Sequence, residues 1–106
     1  MEVKGVLGTI EFDGEWITIT KTPVGQRIAP VRLRAADITG TRFKPGSRLT
    51  HGYVQFLLPG SLAAGEQGGL AQRGRPPYSD PHSLSIPRKS NAAAEKLVAA
   101  VEQARG

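Results

Sequence analysis

The chain contains no cysteine, which excludes a disulfide framework, a cysteine-based zinc site and a thiol nucleophile. That fits a reducing compartment. No apolar stretch approaches the ~20 residues a membrane-spanning helix requires, and Met1–Gly8 has no continuous apolar segment of the kind a secretory signal needs. The expectation is a soluble, cytoplasmic protein. Aromatic residues are few, six in all, and there are only two histidines, His51 and His82. Two histidines without further ligands at set spacing do not make a zinc site. The glycines between 65 and 74 are not followed by Lys-Ser/Thr, so there is no phosphate-binding loop. No Gly-x-Ser-x-Gly nucleophile motif occurs either. The expectation is therefore a protein that is not an enzyme and uses no cofactor or metal.

What is present is 106 residues with 13 Gly and 8 Pro, 39% hydrophobic residues and a formal charge of +5. The length is that of one domain, residues 1–106, and the turn-forming residues predict many short connections. Residues 8–22 read as a hairpin. Ile10 and Phe12 alternate with polar residues, Asp13-Gly14 is a dipeptide suited to positive φ, and Ile17 and Ile19 alternate with Thr18 and Thr20. Residues 26–34 read as a third strand, interrupted or at an edge because Pro30 cannot donate to a ladder. Residues 37–44 and 49–58 read as a fourth and a fifth, separated by the Pro45-Gly46 turn. Val54, Phe56 and Leu58 share one face of the fifth, and Tyr53, Gln55 and Leu57 the other. Residues 59–82, rich in Gly, Pro, Ala and Ser, read as a long loop. Ser83–Ile86 is a sixth strand, stopped by Pro87. Residues 91–105 form the one helix, with Asn91 as its N-cap and Ala94, Leu97, Val98 and Val101 as an apolar stripe. Strands joined by short turns should be antiparallel, and a short helix needs tertiary support, so its stripe should close one open end of the sheets. The fold class is mostly β (α+β).

Several stretches carry a family resemblance: Gly8-Thr-Ile-Glu-Phe-Asp-Gly-Glu-Trp16, Asp37-Ile-Thr-Gly-Thr-Arg-Phe-Lys-Pro45, His51-Gly-Tyr-Val-Gln-Phe56, Asp80-Pro-His-Ser-Leu84 and the Ala-rich terminal helix. In this order they resemble an actinobacterial and phage domain family of unknown function with a pleckstrin-homology-like fold. The resemblance implies a two-sheet antiparallel partial barrel of seven strands capped by a C-terminal α-helix. Six strands are read from the pattern, so the seventh is expected within 59–82. Related bacterial domains form rings, which makes a homo-oligomer compatible with the resemblance.

Phosphoinositide binding, the familiar use of such a fold, needs basic residues in the turn between the first two strands. That turn is read as Asp13-Gly14-Glu15, whose carboxylates repel phosphate. Basic residues gather instead at Arg32, Arg34, Arg42, Lys44 and Arg48, with Arg73 and Arg75 in the long loop. Residues 32 and 34 share a face, as do 42 and 44; facing strands could join them into one patch for nucleic acid or anionic lipid, which Arg73 and Arg75 could extend. The plainer reading is a solvated face balanced by nearby acids. Trp16 falls in phase with Thr18 and Thr20, away from the core. Two placements are open for it: an exposed anchor of the type enriched in binding hot spots, or a ring packed under the helix or the long loop. The third strand offers an edge for strand addition, defended by Pro30, Arg32 and Arg34. The leading expectation is a non-catalytic module that binds a protein partner or itself. Electrostatic binding of nucleic acid or anionic membrane ranks second.

Overall fold

A computed structural model describes residues 1–22, 29–59 and 82–105. Among these residues seven strands precede one α-helix: β1 (Glu2–Gly5), β2 (Gly8–Phe12), β3 (Trp16–Lys21), β4 (Val31–Arg34), β5 (Gly40–Lys44), β6 (Gly52–Leu57), β7 (Ser83–Ile86) and α1 (Asn91–Ala104). Short 3₁₀ turns at Ala35–Asp37 and Arg88–Ser90 lead into β5 and α1. All pairings are antiparallel and form two open sheets, ordered β1-β2-β3-β4 and β5-β6-β7.

Alternation decides which side of the first sheet is buried. Val3, Ile10, Ile19 and Val31 stand opposite one another across its four strands, and Phe12, Ile17 and Leu33 form the adjoining row. These rows meet Val54, Phe56, Leu84 and Ile86 of the second sheet and Ala94, Leu97 and Val101 of α1 in one core. Cutting Leu97 back to Ala would cost about 2–5 kcal/mol, because a fully buried side chain leaves both lost contacts and a cavity.

Among the described residues the strand that the pattern did not show is β1, at residues 2–5; the strand expected within 59–82 falls on residues 60–81, which lie outside the described part. β1 folds onto β2 through a two-residue turn, Val6-Leu7, in which Leu7 adopts a left-handed φ of 53°. The turn is tied down on both sides. The Val6 N–H donates to the Ser85 carbonyl (2.8 Å) and the Leu7 carbonyl accepts from the Thr22 N–H (2.9 Å). The first of these bonds joins the two sheets at a corner. Gly5 and Gly8 press so closely on Leu84 there that a Cβ on either would overlap its side chain. Asp13-Gly14 consequently joins the second and third strands. Gly14 takes φ 105°, and Asp13 Oδ1 accepts from the backbone N–H groups of Glu15 (2.9 Å) and Trp16 (2.7 Å).

Three strands are shorter than their sequence patterns. Described residues 29–30 precede β4 without pairing, as Pro30 demands. Asp37 lies in a 3₁₀ turn rather than in β5. Leu49 to His51 belong to a loop rather than to β6. β6 is also buried on both faces: Tyr53 and Gln55 are as inaccessible as Val54 and Phe56.

The helix is fixed at both ends, and Asn91 does not cap it. The Asn91 side chain accepts from the Gly46 N–H (2.7 Å) and donates to the Gly46 carbonyl (2.9 Å), pairing with that backbone as a neighbouring strand would. Ser90 holds the cap position, but its hydroxyl donates to the Lys4 carbonyl and ties the helix entry to β1. At the far end, Arg105 donates to the Thr39 carbonyl (3.0 Å) and pairs with Glu102 (2.7 Å). Residues 39 and 46 bracket β5, so α1 runs antiparallel along it. The lengths agree: 14 helical residues rise about 21 Å, and the strand from 39 to 46 spans about 23 Å.

Candidate functional site

The outward face of the first sheet carries the most chemically distinctive arrangement. Trp16 opens β3 immediately after the Asp13-Gly14 turn, and strand alternation sets it with Thr18 and Thr20 on the side away from the core. Its ring is half-buried. Arg34 stands directly opposite it on β4, and Arg32 stands opposite Thr18. The guanidinium carbons of Arg32 and Arg34 lie 4.8 and 5.6 Å from the Trp16 ring centroid. Both are within the range where the ring's negative face attracts a cation. Arg34 also meets Glu15 across the hairpin (3.0 Å). Both side chains of that pair are more than half exposed, so it orients the arginine and contributes at most about 1 kcal/mol.

Acidic residues border the same face. Glu2 of β1 stands directly opposite Glu11 of β2, and Glu11 opposite Thr18. Like charges facing each other across strands are unfavourable. Asp13 is fully exposed, and its carboxyl is held below the ordinary value of 3.8 by the N–H groups of Trp16 and then Glu15. A half-open recess of about 210 Å³ lies between these groups, lined by Met1, Glu2, Glu11, Phe12, Asp13, Trp16 and Thr18. The surface thus has an aromatic and cationic side on β3–β4 and an anionic side on β1–β2.

The other basic residues fall elsewhere. Arg42 and Lys44 lie on β5, in the second sheet, so no strand pairing joins them to Arg32 and Arg34 on β4. Arg48 is in the β5–β6 loop. Arg73 and Arg75 lie outside the described residues. Arg42, Gln55 and Ser83 form one cross-strand row on the second sheet, in which Gln55 and Ser83 are buried. Period-two reading places Gln55 off the core but carries no signal that its face is covered. The first interstrand turn, now Gly5-Val6-Leu7-Gly8, contains no basic residue. His51 is exposed and His82 partly buried. Among the described residues, no three His, Asp or Glu side chains are grouped so as to hold a metal ion, and no helix is long and apolar enough to cross a membrane.

These features define a small two-sheet antiparallel β domain, closed by a helix and bearing an aromatic, mixed-charge platform. Residues 10–102 match the family model described as a domain of unknown function, DUF4429, and the chain belongs to that family. No curated protein and no solved structure matches it.

Proposed function

We propose that the chain is a non-catalytic binding module that contacts a protein partner, or a second copy of itself, through the Trp16 platform. The observation that carries this reading is the composition of that face: a half-buried tryptophan under two arginines, with Glu2, Glu11, Asp13 and Glu15 around it. Tryptophan and arginine dominate protein-interface hot spots. The acids count against a polyanion, since nucleic acid or an anionic bilayer would be repelled by the same surface that offers Arg32 and Arg34. A protein can set an acidic group over the arginines and a basic one between Glu2 and Glu11, relieving the like-charge pair. The sheet orders of four and three strands and the C-terminal helix support a pleckstrin-homology-like relationship for the fold. We assign a cytoplasmic location, which the lack of cysteine favours.

The test compares Trp16→Ala and Arg32→Glu with the wild type. Sedimentation equilibrium reads self-association, and capture from nuclease-treated extract of the source cells reads a heterologous partner. A protein retained by the wild type and lost from both variants, or a self-association that both weaken, supports the reading. Identical behaviour of all three proteins removes the platform as the interface.

A further inference from the structure

A second surface lies at the end of the molecule where α1 begins. The β5–β6 loop, residues 45–51, is closed by its own hydrogen bonds. The Ser47 N–H donates to the Thr50 carbonyl (2.8 Å), and the Ser47 hydroxyl accepts from the N–H groups of Leu49 (3.3 Å) and Thr50 (3.1 Å). This ordered tip presents Leu49 at 94% exposure, far above any other large apolar residue among those described. Leucine has no polar atom that gains from such a position, and a turn of Ser and Thr does not require it.

Exposed cations flank the loop in sequence and at its base. Lys44 precedes the loop, Arg48 adjoins Leu49, and both are exposed. The Arg88–Ser90 turn packs against the base of the loop. A Cβ on Gly46 would stand 2.8 Å from the Arg88 nitrogen, and Asn91 binds the Gly46 backbone. This brings exposed Arg88 and Lys89 beside the loop. The Ser90 hydroxyl bonded to the Lys4 carbonyl adds the strand that carries Lys4. Among the described residues the acids are Glu2, Glu11, Asp13 and Glu15 on the first sheet and hairpin, Asp37 before β5, Glu95 within α1 and Glu102 at its far end. Glu2 lies two residues from Lys4 on β1, and Glu95 is one turn into a helix whose first turn has no acidic residue.

We propose that this pole is a docking site for an anionic phospholipid surface. Leu49 enters the boundary between headgroups and acyl chains, while Arg48, Arg88, Lys89 and Lys44 meet lipid phosphates. An exposed apolar tip on a loop flanked by exposed cations matches both layers of such a surface. A protein groove would need complementary walls, and a nucleic acid would admit an aliphatic tip only at the cost of unstacking a base step, about a few kcal/mol. The site shares no residue with the Trp16 platform, so either assignment stands or falls without the other.

The test is co-flotation of the full chain with phosphatidylcholine vesicles, with and without phosphatidylserine, beside a labelled DNA duplex read by anisotropy. The wild type should bind only the phosphatidylserine vesicles, less at higher ionic strength. Leu49→Ser should weaken binding about tenfold, and Arg88→Ala with Lys89→Ala about 25-fold at roughly fivefold per basic residue. Leu49→Phe should retain binding, and Trp16→Ala should leave it unchanged. All these side chains except Trp16 are exposed, and matching thermal melts will show that the variants fold. Three results overturn the proposal: no flotation of the wild type, binding that Leu49→Ser leaves intact, or DNA bound more tightly than the vesicles.

Discussion

Replacing Asn91 by Asp, Ser or Ala separates two roles that this residue could play at the start of the helix. As an N-cap, Asn is matched by Asp and Ser, so both substitutions would be nearly neutral. As the clamp on Gly46, it is matched by neither. Alanine removes two hydrogen bonds, of 2.7 and 2.9 Å, from a glycine whose backbone is buried. Each bond contributes about 1 kcal/mol, and each stranded buried group costs about 1–3 kcal/mol, so the loss is about 2–4 kcal/mol. Alanine's better helix propensity returns about half a kcal/mol. For a domain of this size a net loss of about 1.5–3.5 kcal/mol lowers Tm by roughly 7–20 °C and the urea midpoint by about 1–2 M. Aspartate keeps the acceptor for the Gly46 N–H but sets a carboxylate oxygen against the Gly46 carbonyl, for an intermediate loss of about 1–2 kcal/mol. Urea titrations of the four proteins, followed by circular dichroism, measure the order wild type, Asp, Ala. Asp and Ser variants within about 0.5 kcal/mol of the wild type would refute the clamp and restore the cap.

Leu7→Gly should stabilise the fold by up to about 1 kcal/mol, because a left-handed leucine stores about 1–2 kcal/mol that glycine does not, less glycine's entropic cost; an unchanged or lower urea midpoint would contradict this. Gly52→Ala should cost more than about 3 kcal/mol, since its methyl group would fall on the Lys44 carbonyl oxygen and the Gly46 and Pro45 backbone; loss of dispersed amide signals in NMR is the expected result. The Asp13 carboxyl titrates below 3.8 in the folded chain, so its two backbone hydrogen bonds stabilise the fold above about 3.8 and are lost as pH falls through the lower folded value. A carboxyl-detected titration should place Asp13 there, and Asp13→Ala should flatten the acid limb of the stability profile.

Legibility followed the strength of local pattern. The β2–β3 hairpin could be read from sequence, because Ile10, Phe12, Ile17 and Ile19 alternate around a turn marked by Asp13-Gly14, of which Gly14 takes the positive φ. α1 was equally plain from its Ala94, Leu97 and Val101 stripe. β1 escaped notice because only Val3 of its four residues is buried and its turn uses leucine where glycine would give the signal. Its flanking Gly5 and Gly8 look like breakers, yet they are small because Leu84, some 80 residues away in sequence, crowds them. The long-range cause also explains Asn91: a capping residue and a clamping residue are the same letter, and Gly46 as its partner appears only in three dimensions. Trp16 had a readable phase but not a readable environment, since its contacts with Arg32 and Arg34 depend on the register of β3 against β4. The division of the basic residues between two sheets was hidden for the same reason. Leu49 looked like the start of a strand, when it sits exposed in a turn closed by its own N–H donating to the Ser47 hydroxyl and by the Ser47 N–H donating to the Thr50 carbonyl.

The bond between Ser90 and Lys4 links positions 86 residues apart. During synthesis, β1 emerges early but has no tether to the helix entry until that segment has cleared the ribosome. The β1–β2–β3 meander must therefore wait with part of its apolar side uncovered, and its ends are drawn together only by the latest contacts to form. Such a topology folds slowly, because distant closures come before their reward. The interval before α1 docks is when the nascent chain is most exposed to mispairing and to chaperones.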